Sequence, residues 1–178
     1  MMIHPTYARY MAGYNAEMDR RFIAAAQRLT DAQRRADRGV FWKSLHGTFN
    51  HILWVDHVWL NRLTGSPLPP GIRDDSDKYF HDFDAFVAAR TETNDRIAAW
   101  AEGVTQEFLD SDCYWFRGRP EQFVTPYAVL VAHMFTHQVH HRGQIHAVLT
   151  SYGEDTSDTS IWVMSRAPFS FDFTSEGA

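Results

Sequence analysis

The sequence predicts an all-α protein, an antiparallel four-helix bundle with a small hairpin before the last long helix. Three observations lead there. Four stretches of about twenty residues carry apolar side chains at spacings of three and four, the pattern of helices that bury one face. Polar, Pro- and Gly-bearing connectors separate them. One segment, at 112–125, breaks the helical period and reads as two short strands around a turn.

The first helix is expected over about 6–29. Tyr7, Met11, Tyr14, Met18, Phe22, Ala25 and Leu29 form its stripe, Thr6 is a possible N-cap, and a polar tail at 30–39 ends it. A second helix spans about 44–64 and is closed by Gly65. Its core face is Leu45, Phe49, Ile52, Trp59, Leu60 and Leu63, with Asp56 at the centre. An acid there is either paired with an arginine or is an acceptor behind a metal-ligating imidazole. His46, His51 and His57 all flank this stripe, and the helical wheel does not choose among them. The segment 66–78, with three prolines and Asp74-Asp75, reads as a loop.

A third helix over about 82–101 turns Phe83, Phe86, Ile97 and Trp100 inward, carries no histidine and looks structural. The hairpin follows: Tyr114-Trp-Phe116, a turn at Arg117-Gly-Arg-Pro120, then Gln122-Phe-Val124. Pro126 opens the fourth helix with Thr125 as its cap, and the helix ends near Tyr152-Gly153. Residues 157–165 suit a short fifth helix, and Phe169, Phe171 and Phe173 are candidates to dock on the bundle. No repeat or linker divides the chain, so one domain over 1–178 is expected.

Composition bounds the function. The 178 residues are 44% hydrophobic and 15% aromatic, enough for a real core. A net charge of −5 and the lack of a basic patch argue against nucleic-acid binding. No run approaches the roughly 20 apolar residues of a membrane span, so a soluble, cytoplasmic protein is expected. The single Cys113 excludes an intramolecular disulfide and a Cys-rich zinc site, which leaves nitrogen and oxygen as donors for any metal. Of ten histidines, half lie between 133 and 146.

That fourth-helix stretch carries the chemistry. Leu130, Met134, Ile145 and Val148 form a core stripe, interrupted by His137 and His141 at i and i+4. Two imidazoles in a core face need partners, because an unpaired buried polar group costs roughly 1–3 kcal/mol. Residues four apart share a helix side, so their nitrogens can converge on one ion. His133 is the alternative partner of His137. It lies two turns, about 12 Å, from His141, too far for both to hold one ion. A pair of histidines satisfied by core hydrogen bonds is the competing reading.

At the segments Leu45-His-Gly-Thr-Phe-Asn-His51-Ile-Leu-Trp-Val-Asp56, Trp59-Leu-Asn-Arg62 and His137-Gln-Val-His-His141-Arg-Gly-Gln144, and at Tyr14-Asn15, the chain resembles the DinB family of damage-inducible helical proteins. The resemblance reaches to about Asp158. It implies a four-helix bundle, commonly a homodimer, that binds one divalent metal through three histidines: the second-helix histidine and the fourth-helix pair, here His51, His137 and His141. It also brings in a low-molecular-weight thiol cosubstrate, used by some relatives that are transferases or isomerases. The first helix departs from the family, with Ala16-Glu-Met-Asp19 where a Trp-containing stretch is common.

Three neutral imidazoles would leave a coordination position open for water or substrate, as in catalytic sites. Zinc or nickel suits such a donor set best, with iron, copper and manganese also admissible. The metalloprotease helix motif has Glu after its first histidine, whereas here Gln138 stands in that place, which argues against a peptidase. His133, His140, Gln144 and Asp56 are candidates for a supporting or substrate-orienting role. Arg142 should face away from the ligands and pair with an acid, either Asp56 or one on a neighbouring helix. The function expected is therefore a metal-dependent hydrolase or thiol-dependent transferase acting on a small molecule. A non-catalytic metal-binding stress protein and a protein with purely structural histidines are the alternatives.

Overall fold

The computed structural model describes residues 2–116 and 121–165. Four long helices dominate: α1 (Pro5–Gln27), α3 (Leu45–Thr64), α4 (Phe83–Glu102) and α6 (Tyr127–Ser151), with two one-turn helices between them, α2 (Asp31–Arg35) and α5 (Gln106–Asp110). Strands β1 (Asp112–Phe116) and β2 (Gln122–Pro126) pair antiparallel, with Tyr114 opposite Val124 and Trp115 opposite Phe123. The expected hairpin is thus present. Its turn, with Phe169, Phe171 and Phe173, lies outside the described residues.

Local chemistry sets the boundaries. His4, not Thr6, caps α1: its Nδ1 accepts from the Thr6 amide at 3.4 Å, and Pro5 takes the first helical position, where no amide proton is needed. Ser44 caps α3 by accepting from the Gly47 amide at 3.0 Å. Gly65, at φ +73°, closes α3 with its amide on the Asn61 carbonyl. The expectation that Thr125 caps the last helix is corrected. Thr125 stays in β2 opposite Cys113, and its hydroxyl accepts from the Trp115 indole at 3.1 Å, so Pro126 precedes the helix without a side-chain cap. The supposed loop at 66–78 contains a 3-10 helix, Arg73–Lys78, that lies against α3. The tail forms a 3-10 turn, Ile161–Ser165, tied to α1 by Tyr14 donating to the Thr159 carbonyl at 2.7 Å and Tyr10 to that of Ile161 at 2.8 Å.

The core is two apolar clusters. One gathers Met11 and Met18 of α1, Trp59 and Leu63 of α3, Ile97 and Ala101 of α4, and Val131 and Met134 of α6. The other gathers Phe22, Leu45, Ile52, Phe83, Phe86 and Ile145 with their neighbours. The order of these residues along each helix fixes its direction. Helices α1 and α6 run from the first cluster to the second, while α3 and α4 run back. Helix α1 packs on α4 and α6, and α3 packs on the same two. The expectation of antiparallel neighbours therefore fails for two pairs. Helices α3 and α4 are parallel because the long connector at 65–82 crosses back between them, and α1 and α6 are parallel as well. Between the clusters every long helix contributes a buried polar residue: Asn15 and Asp19, Asp56, Arg90, Gln138 and Arg142. That layer fixes how α6 is turned.

Candidate metal centre

Helix α6 presents two different faces at the level of the polar layer. Gln138 and Arg142 point into the core, at 0% and 4% exposure. Their immediate neighbours His137 and His141, about 100° around the helix, face α3. There they meet His51, which is 2% exposed. One nitrogen from each ring can be chosen so that all three lie within 4.8 Å of one another. The Nε2 atoms of His51 and His137 are 3.4 Å apart. Two donors at 2.0–2.1 Å from one ion in tetrahedral geometry are separated by about 3.3–3.4 Å, so this spacing already suits a shared divalent cation.

Hydrogen bonds aim two of the rings. Nδ1 of His51 lies 2.8 Å from the Ser76 hydroxyl, and that hydroxyl donates its own proton to the Arg73 carbonyl at 2.6 Å. Ser76 therefore has only a lone pair to offer, His51 carries its proton on Nδ1, and its Nε2 is left as a bare donor facing the cluster. His141 repeats the arrangement within its own helix, with Nδ1 at 3.1 Å from Gln144 Oε1. Nδ1 of His137 is buried and has no partner among the described residues. Trp42 stacks on His51 with ring centroids 4.1 Å apart. Gly47 permits that approach, since a Cβ there would sit 2.5 Å from the Trp42 carbonyl oxygen.

The electrostatics agree with a donor role. Burial first, then the neighbouring imidazoles, pushes His51 down to about 2 and His137 to about 3 from the ordinary 6.5, and His141 is lowered for the same leading reason. All three are neutral at pH 7, so no proton has to leave before a metal binds. The neutral, convergent, carboxylate-free donor set fits zinc, nickel and their neighbours better than magnesium or calcium, which seek oxygen.

The remaining candidates separate clearly. His46 and His57 are occupied elsewhere. Nε2 of His46 lies 2.8 Å from the Phe80 carbonyl, while His57 bridges the Tyr79 and Thr93 hydroxyls at 2.8 Å each. Asp56 is not an acceptor behind a ligand imidazole. It is fully buried and takes hydrogen bonds from Arg90 and from Gln138 Nε2, the latter at 2.6 Å. The arginine-paired reading of this acid therefore holds. Arg142 does face away from the ligands, and its acid is Asp19 of α1 at 3.1 Å, with Asn15 as a second acceptor. Arg90 draws α4, expected to be purely structural, into the same layer between Asp56 and Asp19.

His133 and His140 line a cavity of about 430 Å³ whose floor is the three imidazoles, and Phe41, Arg73 and Thr136 complete its wall. Sequence reasoning missed Trp42, Arg73 and Ser76. Each sits outside a periodic helix, in a turn or a connector, where no spacing rule marks a side chain as inward.

Among the described residues no helix is long and apolar enough to cross a membrane. A search of curated proteins returns no match. The family model described as DinB family matches residues 2–164, nearly the whole chain and every residue of the cluster. On that match the chain belongs to the DinB family.

Proposed function

We propose that this protein is a divalent-metal-dependent enzyme acting on a small molecule, a hydrolase or a low-molecular-weight-thiol-dependent transferase, built on a four-helix bundle. Zinc or nickel is the favoured metal. The observation that carries the reading is the junction of three neutral imidazole nitrogens with an open cavity, the arrangement that leaves a coordination position for a reactant. A cation held there supplies Lewis acidity for activating water or a thiol. The protein's own residues supply the rest. Ser76 and Gln144 hold the protons of His51 and His141 on the far nitrogens, Trp42 shields one side of His51, and His133 and His140 at the wall are placed to orient a reactant or pass a proton. Localisation in the cytoplasm and assembly as a homodimer belong to the same proposal.

A second reading, metal binding without turnover in a stress response, is favoured by one feature: among the described residues lining the cavity there is no carboxylate to act as a general base. Elemental analysis of untagged protein beside His51→Ala and His137→Ala tests the metal centre. About one equivalent of one transition metal, lost in both variants, is expected; parent protein with no metal after zinc and nickel titration would end both readings. Turnover of thiol-transfer or hydrolysis substrates by the loaded parent then separates the first from the second.

A further inference from the structure

The charge balance of the site is unusual. Its donors are three neutral rings, so a divalent cation would keep its full charge there. The two acids of the buried polar layer cannot offset it. Asp56 and Asp19 are held by Arg90 and Arg142 in the layer behind α6. Among the described residues that line the cavity, the one with a fixed charge is Arg73, and that charge is again positive.

Arg73 is anchored at its backbone and exposed at its tip. Its carbonyl accepts from Ser76, the residue that orients His51. Its guanidinium lies 5.8 Å from the Trp42 ring centroid and 3.8 Å from the exposed Asp74 carboxylate. A pair so long and so exposed contributes little and leaves the donor fork available. The field of that guanidinium reaches all three imidazoles and helps lower their basicity.

We infer, resting on the metal reading above, that this site takes a ligand bearing a carboxylate or phosphate-type oxyanion, with the Arg73 guanidinium as its anchor beside the metal. A cavity that concentrates positive charge and supplies no protein anion selects an anionic partner from solution. A planar guanidinium is the side chain that grips such an oxyanion with two parallel hydrogen bonds.

The test uses full-length protein loaded with one equivalent of cobalt(II), whose visible bands report on the metal's surroundings. Acetate and methylphosphonate are titrated separately, and the tighter of the two identifies the oxyanion class. Arg73→Gln is expected to weaken binding at least tenfold with cobalt content unchanged. Arg73→Lys, which keeps the charge without the fork, is expected to recover part of the loss. Equal anion affinity in parent and Arg73→Gln would overturn the inference. Parent protein that takes up no cobalt would instead sink the metal reading. The guanidinium is then read in metal-free protein, where methylphosphonate must shift the Arg73 Nε–H resonance or the inference falls.

Discussion

Two faces of α6 at the same height are built on opposite principles. On the inner face Gln138 and Arg142 enter a closed layer of two carboxylates and two guanidiniums, knitted together by Asn15 and Gln138. On the outer face His137 and His141 stand beside His51, with one nitrogen of each ring turned toward the others. The inner group is complete in charge, fully buried, and joins all four long helices. The outer group is neutral and opens to a cavity. The contrast teaches how one helix can hold charge-paired residues and a candidate metal-donor set side by side. The pattern His-Gln-x-x-His-Arg alternates them, and the balanced layer turns the helix so that the histidines look outward at α3.

Breaking the inner face should have the largest effect. Arg90→Met leaves Asp56 buried with no guanidinium partner and Asp19 with Arg142 alone, which should cost about 3–5 kcal/mol, read as a fall in urea midpoint at constant slope. In metal-free protein His137→Asn should cost far less, because His137 Nδ1 has no hydrogen bond to lose. Similar costs for the two would erase the distinction between the faces.

Acid should sharpen it next. His51 and His137 have folded-state values near 2 and 3, well below the ordinary 6.5. Above about 6.5 neither folded nor unfolded chain protonates them, and their contribution to stability is intact. As pH falls below that value the unfolded chain takes up protons that the folded one refuses, so stability drains away toward the folded values. Metal-free protein should therefore lose stability steadily from pH 7 to pH 5. His57, lowered by burial to about 4, adds to the same window, so His137→Asn should reduce the slope without abolishing it. An unchanged unfolding midpoint between pH 7 and pH 5 would contradict the burial of these rings.

Metal addition completes the outer face alone. Zinc at a hundred times its dissociation constant should stabilise the parent by about 2.7 kcal/mol, visible as a raised melting temperature, and His51→Ala should show no such rise. Arg90→Met, if it still folds, should keep the increment, because its defect lies on the other side of α6.

Much of this was legible from periodicity. The stripes of α1, α3 and α6 marked the core, and the interruption at His137 and His141 marked the site. Spacing within one helix could not choose among His46, His51 and His57, because that choice depends on what lies opposite, which here is Phe80, α6 and Tyr79 respectively. Nor could it reveal that Asp56 belongs to the inner layer, since its partner Arg90 is 34 residues away on a helix with no apparent chemistry. The parallel run of α3 and α4 was hidden for a related reason: a connector's length permits a crossover but does not demand one.

Ser76 gives the finest probe of the outer face, because it touches no ligand position and acts only through the far nitrogen of His51. Without its hydroxyl, that nitrogen loses its acceptor, and the ring is free to place its proton on Nε2, the atom turned toward the cluster. Ser76→Ala should weaken zinc binding by roughly 10–100-fold, the usual penalty for removing the hydrogen-bond partner of a ligating imidazole. It should leave the inner layer intact and lower the stability of metal-free protein only by the roughly 1–3 kcal/mol of a buried group left unpaired. Ser76→Thr keeps an acceptor oxygen and should restore most of the affinity. Competition titration with a chromophoric chelator measures all three proteins. Equal affinities would mean that stacking on Trp42 alone orients His51; a large fall in metal-free stability would mean that Ser76 holds the 3-10 helix to α3 more than it steers the ring.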